Sequence, residues 1–345
     1  MEIVVMKFGG TSVRDESSKF AAFQHIRREV SAGYKVVVVV SAMGRLGEPY
    51  ATDTLKGLVS YHVSKAENDR LLACGEILSS IVMSDFLQLQ GMNTYALAPQ
   101  EIGIVTDANF NNANITTVVP DEILKYFETY DVLVAPGFIG CTVDGKVTTL
   151  GRGGSDTSAV ALGVGLKAVF VDIYSDVEGV MTADPKLVKS ARVLEKISYD
   201  NLIALAARGA KVIHLKAIEL AKKHHVNLRL RSTTAEHIGT YVVEENVNTL
   251  SLTNKSGYTR YELSEVKTPI ECAFLQRQGS YWYAQTTEER DVDQYLDLIG
   301  VQYKKEYNYV KVSLINQQRA PIETVFFVDV LKLEDTMNFL HYNLI

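Results

Sequence analysis

Three glycine-bearing segments carry the residues best suited to hold an anion. In the first, Lys7-Phe8-Gly9-Gly10-Thr11-Ser12, two adjacent glycines directly follow an apolar run. Glycines there let backbone N–H groups approach an anion, and the next helix presents its N-terminus to it. Lys7 adds a mobile positive charge. This is not a Walker A loop, whose lysine follows the glycines instead of preceding them. The second segment, Gly151-Arg152-Gly153-Gly154-Ser155-Asp156-Thr157-Ser158, opens another helix, with Ser155 or Asp156 available as N-cap. The third runs from Tyr174 to Pro185, holds Ser175 and Asp176, and is long and polar for a simple connector. Further candidates are Ser41-Ala42-Met43-Gly44, Thr52-Asp53 and Gly75-Glu76 ahead of an apolar helix. Taken singly, these read as a turn, a helix cap and a first-turn acid favoured by the helix dipole, and Arg152 reads as half of a surface ion pair. Two glycine-rich helix starts facing one crevice would make a strongly anion-seeking site, and the functional reading is favoured on that ground.

Such loops need a sheet to align them. Ile3 to Met6 is an unbroken apolar run, and Phe20, Phe23, Ile26 and Val30 then recur at helical spacing up to Gly33. Five consecutive valines, Val36 to Val40, predict a central parallel strand, so residues 2–40 read as a β-α-β unit. The alternation continues with strand-like 131–135, helix-like 158–166, strand-like 168–173, helix-like 202–207 and 218–223, and strand-like 226–230. Asp144-Gly145 marks a two-residue hairpin turn. The expected fold class is α/β, a doubly wound, mostly parallel sheet, with ligands at the strand ends, where the third segment leaves Ile173. A domain boundary is expected near Ser232, giving domains 1–232 and 233–345. The second reads as a small α+β domain with strands at 270–275, 309–314 and 324–330 and helices at 292–299 and 334–340.

Composition narrows the function. A formal charge of -6 leaves no broad basic surface, so nucleic acid is an unexpected partner. Cys74, Cys141 and Cys272 are too scattered for a disulfide framework or a zinc site, which fits a reducing cytoplasm. The first residues lack a basic leader, and no apolar run reads as long enough to span a bilayer, so neither export nor a membrane is expected.

Together, KFGGTSV at Lys7, SAMG at Ser41, ATDTL at Ala51, CGE at Cys74, GRGGSDTSA at Gly151 and DVEGVMTADP at Asp176 resemble the aspartokinase series in order and spacing, over roughly residues 1–232. The likeness is to the Bacillus-type, diaminopimelate-responsive aspartokinases. It implies the amino-acid kinase fold with an ACT-like domain behind it. It also implies a cytoplasmic enzyme that uses ATP and Mg²⁺ to phosphorylate the β-carboxylate of L-aspartate, the first step toward diaminopimelate and lysine, threonine and methionine. By the same resemblance Lys7 contacts the transferring phosphoryl group and Asp156 orients that lysine. Glu76 receives the substrate ammonium and Arg152 its α-carboxylate, while Ser41, Thr52, Gly153 and Ser155 line the same crevice. Gly9, Gly10, Thr11 and Ser12 lie on the phosphates, and Ser175, Asp176, Lys186 and Lys211 hold the nucleotide.

Some positions depart from the family pattern. Met181 stands for an aromatic residue and Lys186 for an arginine, and no proline closely follows Lys211; weaker ATP binding or an altered nucleotide preference is expected. The segment after Ser232 carries no D-x-P-G-type turn and is short for two ACT modules. One ACT-like domain or a degenerate pair is expected there, forming a homodimer with feedback control lost or changed. Two rivals stand beside this reading: a kinase of the same fold acting on acetylglutamate, glutamate, carbamate or UMP, and a catalytically weak regulatory paralogue.

Overall fold

Residues 3–8 and 36–40 form two adjacent strands buried on both faces, and the rest of the larger sheet is laid against them. The computed structural model describes residues 1–60, 62–210, 212–235, 239–245, 247, 250–264, 269–299, 301–316 and 322–345. They divide into two compact units, one of residues 1–180, 193–203 and 211–246, the other of 181–192, 204–210 and 247–345.

The first unit begins with β1 (Ile3–Phe8), α1 (Glu16–Ser31) and β2 (Lys35–Val40), followed by α2 (Thr52–Lys56) and the long α3 (Lys65–Leu89). Next come β3 (Thr94–Ala96), β4 (Ile104–Thr106), β5 (Ile115–Val118), α4 (Asp121–Tyr126) and β6 (Val132–Pro136). The hairpin strands β7 (Ile139–Thr142) and β8 (Val147–Thr149) precede α5 (Gly154–Gly165), β9 (Val171–Ser175) and β10 (Lys196–Ser198). The unit ends with α6 (Tyr199–Ala207), whose last residues fall in the second unit, α7 (Leu215–Lys223), β11 (Leu228–Ser232) and β12 (Thr240–Val243).

Eight strands make the main sheet, in the order β10-β12-β11-β9-β1-β2-β6-β3. Every described pairing in it is parallel except β11 with β12. A four-stranded sheet, β5-β4-β7-β8, holds the hairpin, whose Gly145 takes φ +81° as the tight turn requires. All five valines of β2 are fully buried, each contributing about 1.5–3 kcal/mol of apolar burial. On α1, Phe23 and Ile26 face the core, but Phe20 is 47% exposed; His25 and Glu29 take the inward positions instead. They do so because β9 and β11 carry charge inward. Asp172, wholly buried, accepts Arg229 Nη2 at 2.7 Å and Arg231 Nη1 at 3.3 Å, and Glu29 closes the cluster at 3.9 Å from Arg229.

At 25 residues, α3 is long and apolar enough to cross a bilayer, which corrects the expectation that no segment reaches that length. Its burial beneath the sheets, with Asp69 and Glu76 among its inward residues, is that of a core helix. It starts at a Ser64–Glu67 capping box, so Glu76 sits mid-helix and not in the first turn that Gly75 had suggested.

The second unit comprises β13 (Leu250–Ser264), β14 (Gln276–Gln278), β15 (Tyr281–Gln285), α8 (Glu289–Leu298), β16 (Gln302–Asn316), β17 (Ile322–Asp329) and α9 (Leu333–Leu344). The five strands form one antiparallel sheet, β14-β15-β13-β16-β17. Two helix-covered cores share its long central strands, beside a third, aromatic cluster of Tyr258, Tyr283, Tyr309 and Phe327. One gathers Val292 and Leu296 of α8 with Tyr261 and Ala284; the other gathers Met337 and Leu340 of α9 with Leu252, Val312 and the earlier residues Ala183 and Val188. Residues 270–275, expected as a strand, form a turn whose Ile270, Cys272 and Leu275 pack into the α8 core, so their apolar character serves side-chain burial without a ladder.

Replacing Asp172 by alanine leaves buried Arg231 and half-buried Arg229 short of their carboxylate, which should cost the first unit about 3–5 kcal/mol. The measurement is a urea titration, in which the midpoint moves to lower concentration.

Candidate active site

At the C-terminal end of β1 the parallel strands run out into loops, and Lys7 lies at that edge. Its Nζ is 2.7 Å from Asp156 Oδ1, with both side chains largely buried. Asp156 does not cap α5, as the sequence suggested; Gly153, at φ +72°, takes the N-cap position with no side-chain bond. Asp156 falls instead in the first turn, where the helix dipole favours a carboxylate and where its Oδ2 accepts the His214 N–H at 3.2 Å. A side chain at 153 would collide with the His214 ring, its Cβ lying 2.1 Å from the ring carbon, so both backbone angle and space demand glycine.

Lys7, Ser41, Thr52, Glu76, Arg152, Gly153, Ser155 and Asp156 line one cleft of about 300 Å³, together with Phe138, Gly151 and Gly154. Residues distant in sequence thus converge on one wall-to-wall space. Glu76 is 2% exposed, and its Oε2 has no hydrogen-bond partner. Burial pushes its carboxyl up to about 8, against the pull of an N–H from Ala42 and the charge of Lys7. The approach depends on Gly75, because a Cβ there would lie 2.8 Å from the Tyr50 carbonyl oxygen and 3.1 Å from the Ala42 side chain. Arg152 is exposed and has no ion pair among the described residues, so its reading as half of a surface pair does not hold.

The remaining expected residues are distributed differently. Gly9 adjoins the lysine, a Cβ on it lying 3.7 Å from Lys7 Nζ, and Gly10 to Ser12 form a single 3₁₀ turn before Asp15 caps α1. The Ser12 hydroxyl is turned inward, 2.6 Å from Thr233 Oγ1, so its side chain anchors the turn and leaves backbone groups and Thr11 for a ligand. Ser175 ends β9 and accepts the Thr233 N–H on its carbonyl at 3.1 Å. Asp176 pairs with Arg45 at 2.8 Å on the surface. Lys186 is exposed in the second unit, and Lys211 lies outside the described residues. Sequence reasoning passed over Phe138, which lines the cleft with a left-handed backbone, φ +66°, strained for an aromatic residue. Its one signal was Pro136-Gly137 at the end of an apolar strand.

The model of the Amino acid kinase family matches residues 2–232, and the chain belongs to that family. It is 46% identical over 249 residues to aspartokinase 1 of Bacillus subtilis (strain 168), covering 71% of this chain and 62% of that protein. The aspartokinase of Geobacillus stearothermophilus is 43% identical over 248 residues, covering 71% and 60%. The chain thus spans about three fifths of the length of these relatives. Among solved structures, E. coli aspartokinase III in complex with aspartate and ADP superposes with a TM-score of 0.73 at 20% identity, over 99% of this chain and 100% of that one. The likeness is one of fold: an amino-acid kinase α/β unit with a small ACT-like α+β unit.

In the unfolded chain Glu76 ionises near its ordinary 4.5, whereas in the folded chain it holds its proton to about 8, so this group makes folding less favourable as pH rises between those values. Glu76→Gln removes that penalty. The variant should melt ~2 °C or more above the parent at pH 8.5, with the difference shrinking toward pH 5, as followed by calorimetry.

Proposed function

We propose that this chain is an aspartate kinase, transferring the γ-phosphoryl group of MgATP to the β-carboxylate of L-aspartate to give 4-phospho-L-aspartate. The observation that carries the reading is the pair of unpartnered ionisable groups in the cleft. Glu76 offers a buried carboxylate oxygen with no partner, and Arg152 a guanidinium with none among the described residues. A free α-amino acid, cationic at one end of its head group and anionic at the other, answers both. An acetylated amine or a nucleotide base would leave Glu76 facing no cation, which disfavours acetylglutamate or UMP as acceptor. The relatives named aspartokinase support the same choice.

The chemistry asks little more of the protein. A β-carboxylate with a reference pKa of ~3.9 is already ionised at neutral pH, so no general base is required. What opposes reaction is the approach of one anion to another. Lys7, held in direction by Asp156, would neutralise charge on the transferring group. The N–H groups of the Gly9–Gly10 turn, with Thr11, would receive phosphate oxygens, and Ser12 would anchor that turn from within. Bound with the nucleotide, Mg²⁺ would supply charge shielding of the phosphates. Glu76 and Arg152 would fix the head group so that the side-chain carboxylate points at Lys7, with Ser41, Thr52, Gly153 and Ser155 closing the walls and excluding alternative poses. Ser175, Asp176, Lys186 and Lys211 would contact the nucleotide. The setting would be the cytoplasm, and the assembly a homodimer through the second unit.

The test is hydroxamate trapping of acyl phosphate with MgATP and, in turn, L-aspartate, L-glutamate and N-acetylglutamate. Product should depend on L-aspartate, and Lys7→Ala should lower kcat by ~100-fold or more. Product from N-acetylglutamate instead, or from none of the three, would overturn the assignment.

A further inference from the structure

Asp69 lies on α3 seven residues before Glu76, a spacing that returns to the same face of the helix after about two turns. It is wholly buried. No lysine, arginine or histidine pairs with it among the described residues. Its carboxylate is satisfied entirely by neutral donors from two other segments. Oδ2 accepts the Thr149 N–H at 2.9 Å and the Asn111 N–H at 3.0 Å, and Oδ1 accepts the Thr149 hydroxyl at 2.7 Å. A carboxylate so enclosed costs several kcal/mol to desolvate, and ordinary packing on a core helix does not call for one.

Both segments it grips flank the loop that carries Arg152. Thr149 is the last residue of β8, and Leu150, Gly151 and Arg152 follow it immediately. Asn111 has a left-handed backbone, φ +73°, and presents the neighbouring Asn112, whose Oδ1 would lie 2.5 Å from a Cβ on Gly151. The Ala113 N–H closes the arrangement on the Thr149 carbonyl at 2.8 Å. One carboxylate therefore fastens the base of the Arg152 loop to the helix that carries Glu76.

We propose that Asp69 is a positioning residue for the amino-acid head group, setting the separation between Glu76 and Arg152 and with it the affinity for the acceptor. The inference rests on the reading of those two residues as ammonium and carboxylate binders. Asp69 is distant in role from the nucleotide: none of its donors belongs to the Gly9–Gly10 turn or to the loop after β9. Its loss should therefore be felt by one substrate and not the other.

Two variants test this. In Asp69→Asn an amide NH₂ meets N–H donors. Thr149→Val deletes only the hydroxyl bond and keeps the backbone one. Asp69→Asn should raise KM for L-aspartate ~10-fold or more and Thr149→Val ~3-fold, each leaving KM for ATP within ~2-fold and kcat little changed. Amide hydrogen exchange over residues 150–154 should quicken in both. If the two KM values rise together, or L-aspartate KM stays within ~2-fold with exchange unchanged, Asp69 is a structural staple only and the proposal fails. Should Asp69→Asn not fold, Thr149→Val decides by the same two readouts. A parent protein that forms no aspartate-dependent product counts against the proposed activity, and the exchange measurement then still judges Asp69.

Discussion

A carboxyl group sealed from water with one oxygen unpartnered sets the terms for everything around it. Glu76 is held in that state by packing, with α3 drawn against Tyr50 and Ala42 at Gly75, and by too little positive charge in reach, since Lys7 is already engaged with Asp156. A ligand cation reaching Glu76 would relieve a desolvation cost already present in the fold, which is an economical way to select a free amine over a neutral group of similar shape.

The rest of the site follows from where parallel strands end. β1 and β9 stop side by side, and the loops beyond them are tied together below the cleft by Thr233, which meets Ser12, the Ser175 carbonyl and, through its own carbonyl, His25. Burial, with the charges of Arg231 and Arg28 behind it, lowers the proton affinity of His25. On the side of the sheet that faces α1, Asp172 of β9 pairs with Arg229 and Arg231 of β11, with Glu29 beside them.

Much of this was legible in the sequence where local pattern and burial agree. Five valines can hardly be anything but a doubly buried strand, and two glycine clusters after apolar runs do mark the loops of the cleft. What failed to show were features decided by backbone angles and distant neighbours. Asp156 looked like a cap because the left-handed turn at Gly153, which moves the cap back, has no separate signature. Gly75 looked like a helix start because a glycine needed for close approach and a glycine used as punctuation are the same letter. Asp69 carried no signal of its own, because the donors that enclose it come from Asn111 and Thr149, distant in sequence. In the second unit β13 went unread, since its middle, Asn254-Lys255-Ser256-Gly257, breaks the alternation at a register shift in its pairing with β16.

The most direct test of the central claim is calorimetric titration of the protein with L-aspartate at pH 7 in buffers of different ionisation enthalpy. If the cleft recognises a zwitterion through a carboxyl that is protonated when empty, binding should release most of one proton from Glu76, and succinate, which lacks the ammonium, should bind far more weakly. Aspartate binding with no change in bound protons, or succinate binding equally well, would contradict the account.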